Sequence, residues 1–273
     1  MMQRIMASLG AFQRDILEYH RLHARPMPWR ETRDPYRILV SEFMLQQTQV
    51  ERVLGKYPLF IASFPDFQTI SCASLKDVLL HWQGLGYNRR AVNLWKTAQA
   101  VVEGFHGDLP ETREELIRMP GIGRATAGAI LAFAFNRPVV FIETNIRRAF
   151  IHHFFQDRKD VRDSEILPLV EATLDYENPR QWYYALMDYG SMLGRLSSNP
   201  NRRSAHYTRQ APFHGSDRQV RGRIIRVLLE KGTITRKSII SQLNIEADRM
   251  RRILSGLECD GLIVREGNSF RLP

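Results

Sequence analysis

The apolar positions recur with a helical period over most of the chain. Asp34 followed by Pro35 reads as an N-cap with proline at the first helical position, and Ile38, Leu39 and Leu45 then share one face. Ser74 heads the amphipathic run LKDVLLHW, and Thr112 and Glu115 stand three apart as a capping box ahead of EELIRM. The first twenty residues, broken by Arg4, Arg14 and Asp15, predict an amphipathic helix rather than a leader peptide. Alternating strand patterns are scarce, so residues 1–195 are expected to form one mainly α domain. Residues 196–216 lose the period and fill with Ser, Asn, Pro and Arg, as a linker or basic loop would.

Periodicity returns over residues 217–273. RGRIIRVLLEKG predicts a helix stopping at Gly232, and Thr235 caps RKSIISQLN. A third helix runs through EADRMRRILSGLECDG to Gly261, and LIVREGNSFRLP predicts two short strands about Glu266-Gly267-Asn268. Three helices and a hairpin make a small winged helix-turn-helix domain. Arg249, Arg251 and Arg252 cluster on its third helix, the candidate DNA contact, although such modules also dock proteins or dimerise.

Charge changes the picture more than composition does. The 39 Lys and Arg exceed the 29 Asp and Glu by a formal +10, which favours a polyanionic partner, nucleic acid first. The two cysteines, Cys72 and Cys259, cannot build a disulfide framework and fit a reducing compartment. No stretch approaches the roughly 20 apolar residues of a membrane span. A soluble, cytoplasmic, nucleoid-associated monomer with no membrane partner is expected.

One turn carries a specific signal. Met119-Pro120-Gly121-Ile122-Gly123-Arg124-Ala125 ends one helix and opens another at once. Gly121 and Gly123 allow the tight turn and close backbone approach, and the new helix's amides, with Arg124, suit a phosphate. Such a contact positions DNA without reading its sequence. Around this turn stand, in order, Pro28-Trp29-Arg30, the run Ser41–Val50, Trp82–Tyr87, Val140–Arg148 and Ala185–Gly190. With these motifs residues 20–195 resemble the MutY-type adenine glycosylases of the helix-hairpin-helix, endonuclease III superfamily. The resemblance implies a two-lobed α-helical glycosylase with double-stranded DNA in the cleft between the lobes.

Cleaving a glycosidic bond needs an acid for the leaving base and an anion for the oxocarbenium-like sugar. Glu42 stands where the family carries its acid, on a largely apolar helix whose desolvation favours the protonated form. Glu143 stands where the family carries aspartate. It is read either as the stabilising anion, oriented by Asn145, or as a structural loop acid; the added methylene displaces the carboxylate by about an ångström. Ala125 occupies the place of the lysine of bifunctional relatives, so a Schiff base is not expected there and water serves as nucleophile. Gln47, Leu85 and Tyr87 fall where the family enters the DNA, Gln47 as a wedge and Tyr87 as a stacking ring or core residue. Asp188 lines the base pocket or supports its wall, and Trp29, Trp82 and Trp95 read as core.

Two features depart from the family pattern. The four cysteine places of its iron–sulfur cluster fall on Gly194, Asn201, Ser204 and Gln210, so no thiolate-bound cluster is expected. A monovalent cation at the hairpin is the one inorganic partner left open. The family's larger C-terminal domain, which recognises 8-oxoguanine, is replaced by the winged-helix pattern. Three functions therefore compete: release of adenine opposite 8-oxoguanine or guanine, release of thymine or uracil opposite guanine, and DNA binding without catalysis.

Overall fold

The computed structural model describes residues 2–196 and 199–273; Ser197 and Ser198 of the basic loop, and the side chain of Arg4, lie outside the described residues. The chain is mainly α, as its periodicity predicts. Helices α1 (Met2–His23), α2 (Pro35–Leu45), α3 (Val50–Ser63), α4 (Phe67–Cys72), α5 (Leu75–Trp82) and α6 (Arg89–Phe105) come first. They are followed by α7 (Arg113–Arg118), α8 (Arg124–Phe135), α9 (Thr144–Phe154), α10 (Asp163–Thr173) and α11 (Pro179–Gly194). The C-terminal residues form α12 (Asp217–Lys231), β1 (Thr233–Thr235), α13 (Arg236–Leu243), α14 (Ala247–Cys259), β2 (Val264–Glu266) and β3 (Ser269–Arg271). Among the described residues, no helix is long and apolar enough to cross a membrane.

The caps lie where the sequence puts them. Asp34 accepts the Tyr36 amide at 2.9 Å, and the side chains of Ser74, Ser216 and Thr235 accept amides of α5, α12 and α13. The Glu115 amide donates to the Thr112 hydroxyl at 3.3 Å, and that hydroxyl donates to the Glu115 carboxylate. One strand escapes the sequence reading: β1 is three residues long, too short for alternation to show, and pairs antiparallel with β3 in a sheet of order β1-β3-β2. Together with α12, α13 and α14 this sheet has the arrangement of a winged helix-turn-helix.

The residues fall into two compact units that interleave along the sequence. The first comprises Met1–Ile38, Glu111–Arg118 and Ile122–Arg209. Its core gathers Phe12, Phe150 and Trp182, with ring centroids 4.9 and 6.0 Å from Phe12. Helices α9 and α11 approach so closely that a Cβ on Gly190 would lie 2.1 Å from the Asn145 carbonyl oxygen. The second unit comprises Leu39–Pro110, Met119–Gly121 and Gln210–Pro273. Ala91, Leu94, Ala98 and Val101 recur at helical spacing along α6 and are all buried, and Phe60 packs edge-on to Trp82. The winged-helix core, with Ile224, Leu228, Leu257 and Phe270, belongs to this same unit.

Gly190→Ala is expected to destabilise the protein by about 1–3 kcal/mol in denaturant unfolding, because a backbone oxygen blocks the new methyl. Gly104→Ala, whose Cβ would meet nothing within 4 Å, is expected to stabilise by about 0.5–1 kcal/mol.

Candidate functional site

Glu42 projects half-buried from α2, between the buried Ser41 and Phe43. The helix ends three residues later, and its terminal carbonyls need donors. They receive one buried guanidinium, that of Arg90 on α6. It donates to the carbonyls of Phe43, Met44 and Gln46 at 2.8, 2.8 and 2.6 Å. It also donates to the Thr48 hydroxyl at 2.9 Å and to the carbonyls of Leu85 and Gly86 at 3.3 and 3.0 Å. Arg90 thus joins the two motifs Ser41–Val50 and Trp82–Tyr87. Its face lies 5.3 Å from the Trp82 ring and 5.5 Å from the Tyr87 ring. Burial pulls its pKa down to about 10, so it remains a cation at neutral pH. No motif in the sequence marked Arg90, because its partners are main-chain atoms.

The two loops that Arg90 ties carry the expected DNA-facing side chains. Gln47 and Tyr87 both adopt left-handed backbone, with φ of 53° and 48°. Non-glycine residues so placed cost about 1–3 kcal/mol and cluster at functional sites. Gln47 is exposed and Tyr87 half-buried. Leu85 departs from expectation: at 1 % exposure it is a core residue, and the structure does not bring it to this surface. The reason is the turn at Gly84 and Gly86, both at positive φ, which folds Leu85 inward while Tyr87 faces out. Trp29 and Trp82 are core, as their apolar context predicts, and the Trp95 indole donates to the Ala73 carbonyl at 3.0 Å.

The turn between α7 and α8 is exposed at Gly121, Gly123, Arg124 and Ala125. Gly121 has φ of 79°, and a Cβ there would come within 2.7–2.9 Å of Asn93 and Phe43, so only glycine fits. Gly123 caps α8, and a Cβ on it would meet nothing within 4 Å. Ala125 presents only a methyl on the first turn.

In the other unit, Glu143 is the N-cap of α9. One carboxylate oxygen accepts the Asn145 and Ile146 amides at 2.6 and 2.8 Å, and the other accepts the Asn145 side chain at 3.3 Å. The Asn145 side-chain oxygen in turn accepts from Arg148 at 2.8 Å. Burial pushes the Glu143 carboxyl above the usual range; the two amides, then Arg148 and Arg147, oppose the shift. Asp188 is 2 % exposed and is met by one imidazole and two guanidiniums. His20 lies at 2.9 Å, Arg25 at 2.5 Å and Arg30 at 2.8 Å. Desolvation works against its charge, but these partners together hold the carboxyl well below the usual range. Arg25 keeps 28 % of its side chain exposed against 1 % for Asp188, so the cluster offers cations outward. The sequence marked Arg30 only within a motif and gave no signal for His20 or Arg25.

On α14, Arg249 is committed to the Asp217 carboxylate at 2.7 Å and the Gly215 carbonyl at 2.5 Å, and Arg251 lies 3.1 Å from Asp248. Arg252 is exposed. Two of the three arginines expected to face DNA are thus already paired within the chain.

Residues 40–168 match the HhH-GPD superfamily of base excision DNA repair proteins. An adenine DNA glycosylase of Mycobacterium tuberculosis (strain CDC 1551 / Oshkosh) is 32 % identical over 287 residues, covering 93 % of this chain and 91 % of that protein. The chain belongs to the adenine DNA glycosylase family. Its relative in Buchnera aphidicola subsp. Baizongia pistaciae is 36 % identical over 196 residues, 71 % of this chain; the chain spans little more than half of that relative's length, 56 %. A solved structure of a thermostable thymine-DNA glycosylase shares the fold, with a TM-score of 0.64, 24 % identity, and coverage of 71 % of this chain and 91 % of that one.

The four places that the family resemblance gives to iron–sulfur ligands carry Gly194, Asn201, Ser204 and Gln210, none of them a thiol. At Gly194 a Cβ would lie 2.3 Å from the Arg148 guanidinium, which occupies the space beside that position. The Asn201 amide donates to the Thr144 carbonyl at 3.0 Å, and Ser204 forms a parallel bridge with Val161. Arg148 donates to the Asn199 side chain at 3.1 Å and the Gly190 carbonyl at 2.7 Å, and Arg203 donates to the Phe155 carbonyl at 2.6 Å. Hydrogen bonds from arginine and asparagine therefore hold the segment after α11.

Two substitutions test these networks by calorimetry or denaturant unfolding. Arg90→Met is expected to cost several kcal/mol, since each orphaned buried carbonyl costs about 1–3 kcal/mol. Asp188→Asn is expected to cost about 3–5 kcal/mol at neutral pH by leaving buried cations unpaired. Because the folded Asp188 pKa is depressed, its contribution is complete above the ordinary aspartate range. It is lost only as pH falls through the depressed value, so wild type and mutant converge in strong acid.

Proposed function

We propose that this protein is a monofunctional DNA glycosylase that releases a mispaired base from double-stranded DNA, adenine opposite guanine or 8-oxoguanine being the substrate. The observation that carries the reading is the match to adenine DNA glycosylases over 91 % of the length of one of them. Glu42 is the acid that protonates the leaving base, and its half-buried place on an apolar helix suits that task. Glu143 is the anion beside the developing sugar cation. Its capping bonds to Asn145 and Ile146 hold the carboxylate still, so no reorganisation is needed as charge develops. Ala125 brings no amine, so water attacks the sugar and an abasic site remains. Gln47 fills the gap left by the extruded base, and Tyr87 stacks beside it. The hairpin amides, Gly121, Gly123 and Arg124 take a phosphate, with room for a monovalent cation. The protein works as a monomer, and its compartment is the cytoplasm, on the nucleoid. Likeness to the thymine-DNA glycosylase, at 24 % identity, is one of fold and does not favour thymine.

Single-turnover assays on duplexes labelled in the strand to be cut test this reading. Glu42→Gln is expected to bind DNA and to lose about 100-fold or more in base release, the scale of general acid catalysis. A mutant within threefold of wild type would remove Glu42 from the mechanism. The product strand is expected to stay intact until heated in alkali, and borohydride should trap no covalent complex. On the acid side, the rate should fall as Glu143 protonates, with a midpoint above that of an ordinary glutamate because burial raises its pKa. Glu143→Gln should flatten that limb.

A further inference from the structure

The Tyr87 side chain is held at its far end by the C-terminal module, which belongs to the same unit. Its hydroxyl accepts from the Arg218 guanidinium, on the first turn of α12, and from the Gln210 amide, in the segment before that helix. The Arg218 guanidinium lies 5.4 Å from the Tyr87 ring centroid. It also donates to the Ala211 carbonyl at 2.8 Å, which ties α12 to the segment that carries Gln210.

Helix α12 is itself anchored. Asp260, the C-cap of α14, accepts from Arg221, one turn on from Arg218, and lies 3.3 Å from Arg89 at the start of α6. Ser216 caps α12 by accepting the Gln219 amide. Beside these contacts, α12 and the end of α14 face Gln47 and Tyr87 across a cavity of about 330 Å³. The hydroxyl of Tyr87 is thus a point at which the module reaches across to the strained loop.

Two different things must be fixed for this ring to be presented in one pose. The main chain at Tyr87 is left-handed, with φ of 48°, and Arg90 fixes it through the carbonyls of Leu85, Gly86 and Tyr87. Main-chain bonds leave the side-chain torsions free, and those decide where the ring points. A grip on the hydroxyl, the atom farthest from the main chain, removes that freedom. Under the proposed function, on which this inference rests, Tyr87 stacks beside the extruded base. A ring already in place spares the cost of ordering it on binding, and a misplacement of about 1 Å can cost about 100-fold in rate. We propose that Arg218, assisted by Gln210, is a positioning residue for base release: it acts through the Tyr87 hydroxyl and touches neither base nor sugar. Through α12 the winged helix then contributes to the rate rather than to duplex affinity.

Single-turnover release at saturating enzyme, with duplex affinity measured separately by fluorescence anisotropy, tests this in the full chain. Tyr87→Phe keeps the ring and loses the grip; it is expected to slow release by about tenfold, as is Arg218→Ala. The double variant should be no slower than the slower single, because both remove one contact, whereas independent losses would multiply to about 100-fold. Arg218→Lys keeps a donor and should return the rate to within threefold of wild type. Affinity should stay within threefold throughout. The salt slope of Arg218→Ala should match that of wild type, whereas a lost phosphate contact would lower it by about one unit. A contact that served folding alone would lower the melting temperature and leave the saturated rate untouched. A 2-aminopurine placed beside the mispair reports opening of the stack without turnover, and its fluorescence rise on binding should be smaller in both single variants. Rates within threefold of wild type for Tyr87→Phe and Arg218→Ala, or losses that multiply in the double variant, would overturn the proposal and leave the glycosylase reading standing. No release from any duplex, with the 2-aminopurine response still weakened by both substitutions, would sink the glycosylase reading and leave the positioning role in place.

Discussion

A single buried cation organises the two loops of the second unit that carry Gln47 and Tyr87. Helix α2 ends, and the loop after α5 turns, with main-chain carbonyls directed at one point. Arg90 supplies donors to six of these carbonyls and to one hydroxyl. Without it, carbonyls such as those of Phe43 and Met44 would lose a buried partner, at a cost of about 1–3 kcal/mol each. Satisfying them fixes both loops relative to α6, and so lets Gln47 and Tyr87 persist in left-handed conformations that isolated chain would abandon. The aromatic faces of Trp82 and Tyr87 complete the shell around the guanidinium.

The first unit solves a similar problem with the opposite charge. Glu143 satisfies the first amides of α9 and is itself fixed by them, so the same contacts that end the helix also aim the carboxylate. Arg148 then links Asn145 to α11 and to the segment beyond it, reaching the Gly190 carbonyl and Asn199. Directional hydrogen bonds from guanidiniums tie this segment to α9, and Gly194 leaves the space that the Arg148 guanidinium occupies.

Excess positive charge serves different ends in different places. Around Asp188 two guanidiniums and the His20 ring share one buried carboxylate, which leaves net positive charge where Arg25 meets solvent. On the winged helix, Arg249, Arg251 and Arg221 are paired with carboxylates, whereas Arg218 meets the Tyr87 hydroxyl and ring. A count of basic residues along the chain cannot distinguish these cases. Only the placement of acidic partners does.

The sequence by itself determined the helical class, the caps at Asp34, Ser74, Thr112 and Thr235, the hairpin at Gly121, and the order of the family motifs. These features are local: they depend on side chains within a turn or two of each other, or on glycine's access to positive φ. It also shows two cysteines, neither at the four places that the family resemblance gives to cluster ligands. The tertiary structure alone decided that Leu85 is core, that Arg90 joins two motifs, and that Asp188 gathers His20, Arg25 and Arg30. It also decided that α12 and α14 close a cavity over Gln47 and Tyr87. Those outcomes rest on contacts between residues tens to more than a hundred positions apart, many of them to main-chain atoms that carry no residue-specific signal. Hydrophobic period and motif spacing report which face of an element is buried; they do not report which distant carbonyl or carboxylate will meet it there.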